Sequence, residues 1–346
     1  MSETEPSPEP PAEPFRVEVT LEFKHSRPLT CCHWEPRSRY VFFGAEDHQV
    51  HRYDLADGTV ISLAHHDSWV RDFASSPDGE TVYSAGFDGV VACWPIAGES
   101  PQPLRVIPAH DGWVRAVAAS ACGKFLATCG NDRLVKLWDA TDGRLIREYA
   151  GHEHHVYNVI FLPDSSQIVS CDLKGFVRAW QVDSEDSKPL ATVAQLHDYD
   201  TTFRADIGGA RGIAVHPDGG LVGLGGITKV TNAFAGVGDV AVALVHSDSG
   251  EVVRVLESKE AVKGTIWGVA YHPGGYWIGV SAGGGGGWLH FWDGQNDHEF
   301  AKVKLKFDGR GMSLSPDQSR IAVAHADSHL RIHELTDQRP ATPAAG

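Results

Sequence analysis

No uninterrupted apolar run in the 346 residues approaches the ~20 that a membrane-spanning helix needs. The N-terminal residues MSETEPSPEPPAEP also lack the basic and apolar stretches of an export signal, so the chain reads as soluble and cytoplasmic, with no membrane partner. Cysteine is scarce and never spaced as CxxC. Cys31, Cys32, Cys93, Cys122, Cys129 and Cys171 suit buried thiols in a reducing compartment better than a zinc ribbon or a redox motif. Base is short as well: 30 Lys and Arg face 45 Asp and Glu, a formal charge of −15, and Glu3, Glu5, Glu9 and Glu13 share a stretch with no base at all. A field of that sign excludes a nucleic acid held by overall charge. Helical periodicity is missing throughout, which leaves an all-β chain.

What the sequence has is repetition. Pro-Asp-Gly or a relative of it recurs after a short apolar run at Pro36, Pro77, Ala121, Pro163, Pro217, Pro273 and Pro316, at intervals of 41, 44, 42, 54, 56 and 43 residues. Each of the seven units runs strand, turn, strand, tight turn, then a strand ending near Trp-Asp, as in FLATCGNDRLVKLWD. A four-stranded unit of this size cannot bury both faces alone and must stack on its neighbours.

A histidine precedes the landmark by 11 residues in the first four units: His25, His66, His110 and His152. It precedes a tight-turn position by 22: Asp47, Asp88, Asp132 and, as the exception, Lys174. With Gly151-His152 and Trp138-Asp139, these landmarks make residues 15 to about 336 resemble the WD40-repeat family. The resemblance implies a seven-bladed β-propeller and, in each good blade, a buried relay from the His through a Ser or Thr and the Trp indole to the Asp. That assigns His66, Ser84, Asp88 and Trp94 to blade two and His110, Thr128, Asp132 and Trp138 to blade three. Blade four keeps His152, Ser170 and Trp180 but carries Lys174 for Asp, and blade one has Phe43 and Tyr53 in place of Ser and Trp. Blades five to seven retain only Asp327 and Trp292-Asp293 and are expected to rely on apolar packing. The strand VEVTLEFK (17–24) has no blade of its own, and HLRIHEL (329–335) lacks an outer neighbour, so pairing them closes the ring. The expected layout is an acidic Pro-rich disordered tail over 1–14, one propeller over 15–337 and a second disordered tail over 338–346.

Six residues before each landmark stand Thr30, Arg71, Arg115, Tyr157, Arg211, Trp267 and Arg310. The resemblance places this position at the top of the central channel, where partner peptides are often gripped. Four Arg of seven can fork onto carboxylate or phosphate, while Tyr157 and Trp267 offer flat apolar contact. The competing reading pairs these Arg with nearby acids such as Asp72. Trp69 and Trp113 recur in HDSWV and HDGWV, either as binding anchors or packed between blades. Blade five carries two insertions, 197–212 and 225–240, with Arg204, Lys229, Asn232 and Phe234 as their notable side chains.

Other chemical-looking matches carry little. Gly279-Val-Ser281-Ala-Gly283 fits a nucleophile elbow only in a strand-to-helix turn, and it falls on an expected strand. His152, His154 and His155 are weak metal candidates because His152 is committed to the relay. Gly283–Gly287 lacks the Lys-Ser/Thr of a phosphate loop. The expected function is a non-catalytic scaffold, monomeric within a larger complex, that binds a protein or peptide partner through its top face and uses no cofactor or metal. The alternative is an enzyme or small-molecule binder at the channel mouth with the blade-five loops as a lid.

Overall fold

The computed structural model describes residues 14–99, 102–232 and 236–339. Strands dominate it, and one 3-10 turn, Ala194–Leu196, is the only helical segment among the described residues. No helix there is long and apolar enough to cross a membrane. Seven four-stranded antiparallel sheets form the blades of a propeller, six of them from consecutive strands. Blade three, for example, runs Val114–Ala119, Phe125–Gly130, Val135–Asp139 and Leu145–Tyr149 from the channel outward. The seventh blade combines Gly309–Leu314, Arg320–His325 and His329–Asp337 with the N-terminal strand Phe15–Lys24. Lys24 lies opposite His329 and Phe15 opposite Asp337, so the ring is closed by its own two ends. The expected tails fall almost entirely outside the described residues, as does Phe234.

The second strand of each blade lies between two neighbouring blades, which explains its composition. Tyr40–Ala45 and Tyr276–Ala282 are buried along their whole lengths, so they read as continuous apolar and small residues. The core consists of inter-blade layers. Phe42, Val50 and Leu63 of blade one meet Val70, Phe73, Val82 and Trp94 of blade two. Trp94, Trp180, Trp277 and Trp292 are fully buried. At about 25 cal/mol/Å² over 150–250 Å², each contributes at most roughly 4–6 kcal/mol before its ordering entropy.

The first blade-five insertion folds into a hairpin, His197–Asp200 with Ala205–Gly208, held by His197 Nε2 at 2.7 Å from Asp206 Oδ1. The second prolongs two strands, Leu221–Asn232 and Val237–His246, well beyond the usual length, and Lys229 there hydrogen-bonds Glu257 at 2.6 Å. Ser281 lies fully buried within the second strand of blade six, 3.2 Å from His290 Nε2, so the nucleophile-elbow geometry is not present.

Candidate functional site

The relays fix the loops that carry the top face. In blade two Trp94 Nε1 donates to Ser84 Oγ at 2.9 Å, Ser84 Oγ meets His66 Nε2 at 2.8 Å, and His66 Nδ1 meets Asp88 at 2.9 Å. Blade three repeats this with Trp138, Thr128, His110 and Asp132 at 2.9, 2.7 and 2.8 Å. The order corrects the sequence expectation: the carboxylate contacts the histidine directly, and the indole ends the chain at the hydroxyl. Burial pushes the Asp88 and Asp132 carboxyls up, but the histidine hydrogen bonds and turn N–H groups outweigh it and hold both below their ordinary 3.8.

Blade four overturns a second expectation, because its relay is complete. His152 Nδ1 lies 3.0 Å from Asp172 Oδ2 and Nε2 lies 2.8 Å from Ser170 Oγ, which also accepts from Trp180 at 2.8 Å. Asp172 ends its strand where blades two and three have Gly86 and Gly130. A Cβ on Gly86 would run into the Asp88 carboxylate and the His66 ring. A carboxylate planted at that position therefore reaches the same histidine from two residues earlier. Lys174, in the vacated turn position, pairs with Asp206 at 3.4 Å. Asp327 and Trp292 serve elsewhere: Asp327 chelates Arg331 at 3.0 and 2.8 Å, and Trp292 Nε1 donates to Glu257 O.

On this frame the channel mouth assembles. A cavity of about 380 Å³ is lined by Thr30, Trp69, Arg71, Phe87, Trp113, Arg115, Arg211, Trp267 and Arg310. Below it a channel cavity of about 360 Å³ is also lined by Arg71, Arg115, Arg211 and Trp267, which makes these four a collar between the two spaces. Trp267 stands 5.3 Å from the guanidinium of neighbouring Arg211 and 5.3 Å from that of Arg71 across the ring. Tyr157 lies between Arg115 and Arg211, 4.4 Å from each. Arg115 also covers Trp113 at 4.7 Å, and Trp113 stacks on Phe87 with centroids 4.2 Å apart.

None of Arg71, Arg115 and Arg211 is ion-paired with a carboxylate among the described residues. Asp72 accepts the backbone N–H of Val117 at 3.0 Å instead, and burial pushes its carboxyl up to about 6. Arg115 Nε donates to Asn131 Oδ1 at 2.7 Å, and the buried Nε of Arg211 has no partner among the described residues. Burial also lowers the Arg211 guanidinium to about 10, with Arg115 and Arg71 pushing the same way against Tyr157. It remains charged at neutral pH. Two ring positions differ from the rest: Thr30 is buried and donates to Val70 O at 2.6 Å, and Arg310 is held by Glu46 at 2.6 Å. Trp69 and Trp113 keep 40% and 42% of their surface exposed. Phe87 and Asn131 were not singled out from the sequence, although they occupy the same turn position, one residue before Asp88 and Asp132.

Seven closed blades around a channel whose mouth is collared by cations and aromatic rings define a β-propeller with a polar top face. The chain carries four stretches that match the WD40-repeat family model, described as "WD domain, G-beta repeat", at residues 58–95, 101–139, 143–181 and 250–293. It is 33% identical to the LEC14B homolog of Prunus armeniaca over 82 residues, 22% of this chain and 17% of that protein. It is 30% identical to the LEC14B protein of Lithospermum erythrorhizon over 82 residues, with the same shares. The nuclear distribution protein PAC1 of Arthroderma benhamiae is 26% identical over 87 residues, 24% of this chain and 19% of that one. The chain thus aligns with about a fifth of each relative.

Proposed function

We propose that this propeller is a non-catalytic scaffold whose top face grips an acidic or phosphorylated segment of a protein partner. The observation that carries the reading is the collar: three guanidiniums with no carboxylate ion-paired to them among the described residues, kept apart by aromatic faces at a partly desolvated mouth. An anion seated there gains charge-assisted hydrogen bonds, each contributing about 1.5–3 kcal/mol, and relieves the mutual repulsion of Arg71, Arg115 and Arg211. A mouth of about 380 Å³ suits one acidic or phosphorylated side chain, with Trp69 and Trp113 at its rim for the flanking peptide. Partner capture from native lysate should be lost on Arg71→Glu/Arg115→Glu while circular dichroism stays unchanged, and an acidic or phosphorylated peptide should compete for the wild type. Capture of the same partners by both proteins would sink the reading. The cavity also lies within the range of small-molecule sites, and capture of no protein by the wild type would move the assignment there.

A further inference from the structure

Blade one is built differently from its neighbours at the relay, and the difference assembles a set of ligand atoms. Beneath the relay histidine, where blades two to four place Ser84, Thr128 and Ser170, blade one places Phe43, whose ring meets His25 edge-on with centroids 5.6 Å apart. His25 has no hydroxyl to meet there, and it presents Nε2 rather than Nδ1 to the turn carboxylate, 3.0 Å from Asp47 Oδ2. A second imidazole arrives from the third strand, at the position held by Ala92 and Lys136 in blades two and three. His51 Nε2 lies 3.1 Å from the same oxygen. Two ring nitrogens from separate segments thus converge on one carboxylate oxygen.

In a tetrahedral site with bonds of about 2.0–2.1 Å, ligand atoms stand about 3.3 Å apart. The two separations from Asp47 Oδ2 are close to such edges, and all three ligand atoms lie within 4.8 Å of one another. The outer contacts are those a ligated imidazole and carboxylate need. His51 Nδ1 lies 2.9 Å from Ser62 Oγ, and Asp47 Oδ1 accepts the Gln49 N–H at 3.1 Å. The His51 side chain is buried, whereas those of His25 and Asp47 keep 13% and 21% exposure, which leaves room for water at a fourth position.

We propose that His25, Asp47 and His51 form a site for a borderline divalent cation, zinc above all, completed by water. Two imidazoles and one carboxylate are a zinc-type donor set. Binding needs each histidine to carry its proton on Nδ1, and His51 then donates that proton to Ser62. His25 directly follows the strand that closes the ring, while Asp47 and His51 belong to blade one, so the cation would staple the closing strand to the first blade.

The test titrates zinc into the full, metal-stripped chain, with cobalt as a spectroscopic substitute, and compares wild type with His25→Gln, His51→Gln and the control His155→Gln. Wild type and control should bind one zinc equivalent more than the two site variants and show the visible bands of four-coordinate cobalt. Zinc should also raise the melting temperature of wild type and control alone. Removing one ligand should weaken the site by more than about 100-fold, beyond the loss typical of an outer-shell change. His25 is partly exposed, so His25→Gln decides the question if His51→Gln fails to fold. No saturable zinc binding by wild type, or unchanged stoichiometry and cobalt spectrum in His25→Gln, overturns the proposal.

Discussion

Replacing Ser84 by Ala deletes one buried hydroxyl that serves two partners. Trp94 Nε1 and His66 Nε2 both lie within 2.9 Å of Ser84 Oγ, and Ser84 and Trp94 are fully buried. A net hydrogen bond contributes only about 1 kcal/mol, but a buried polar group left without a partner costs about 1–3 kcal/mol, and this change leaves two. The expected loss is therefore roughly 2–6 kcal/mol. With an unfolding entropy of about 0.7 kcal/mol/K for a chain of this size, the melting temperature should fall by about 3–8 °C. Thermal unfolding followed by tryptophan fluorescence reads this, alongside hydrogen exchange at the Trp94 indole to localise it to blade two. Ser184→Ala, which removes a half-buried hydroxyl bonded to Asp186 within the same outer turn, is the control. Ser84→Thr should recover most of the loss, because Thr128 performs the same role in blade three. A Ser84→Ala shift no larger than that of Ser184→Ala would refute the claim that the relay stabilises the blade.

Gly86→Asp alone should crowd Asp88 and destabilise blade two, whereas Gly86→Asp/Asp88→Lys copies blade four and should recover most of the lost melting temperature; a double variant as unstable as the single one would show that Asp172 is not equivalent to Asp88. Arg71→Ala should weaken an acidic peptide by about 10–100-fold, while Arg310→Ala, whose guanidinium is already held by Glu46, should cost only a few-fold, as measured by fluorescence polarisation. Equal losses would show that the ion pair does not matter. The Asp72 carboxyl titrates at about 6, so lowering the pH from 7.5 to 5.5 removes a negative charge beside Arg71 and should tighten binding of a glutamate-rich peptide. Asp72→Asn should flatten that dependence, and a variant profile matching wild type would exclude Asp72 as its source.

The blade count, the closure and the relays of blades two and three were legible because turns and strand lengths repeat in register, so one landmark locates the others. The same register misread blade four. A spacing of 22 residues identifies an aspartate in the turn, but a carboxylate at the strand end reaches the same histidine, and only the direction of its Cβ shows the two positions to be equivalent. The collar positions were readable as a list of residue types, while their state was not. Whether Arg310 is paired, and whether Arg71 turns to Asp72 or to Trp267 across the channel, depends on contacts between blades far apart in sequence. The cluster of His25, Asp47 and His51 has no sequence signature for a related reason: His51 occupies a position that carries no relay residue in the neighbouring blades.

Closure also dictates an order of events during synthesis. The Thr20 hydroxyl bonds to Ile332 O, 312 residues further on. At roughly 5–20 residues per second, the first strand waits about 15–60 s for its partner to be made. Over that interval Phe15–Lys24 is a strand with an apolar face and no edge to join, the kind of segment that pairs with other chains. Closing a flexible loop of that length costs about 4 kcal/mol more in chain entropy than closing a local hairpin. Loss of Phe15–Lys24 would strip the outer strand from the seventh blade and leave the edge of His329–Asp337 bare, open to the same strand of a neighbouring copy instead of its own.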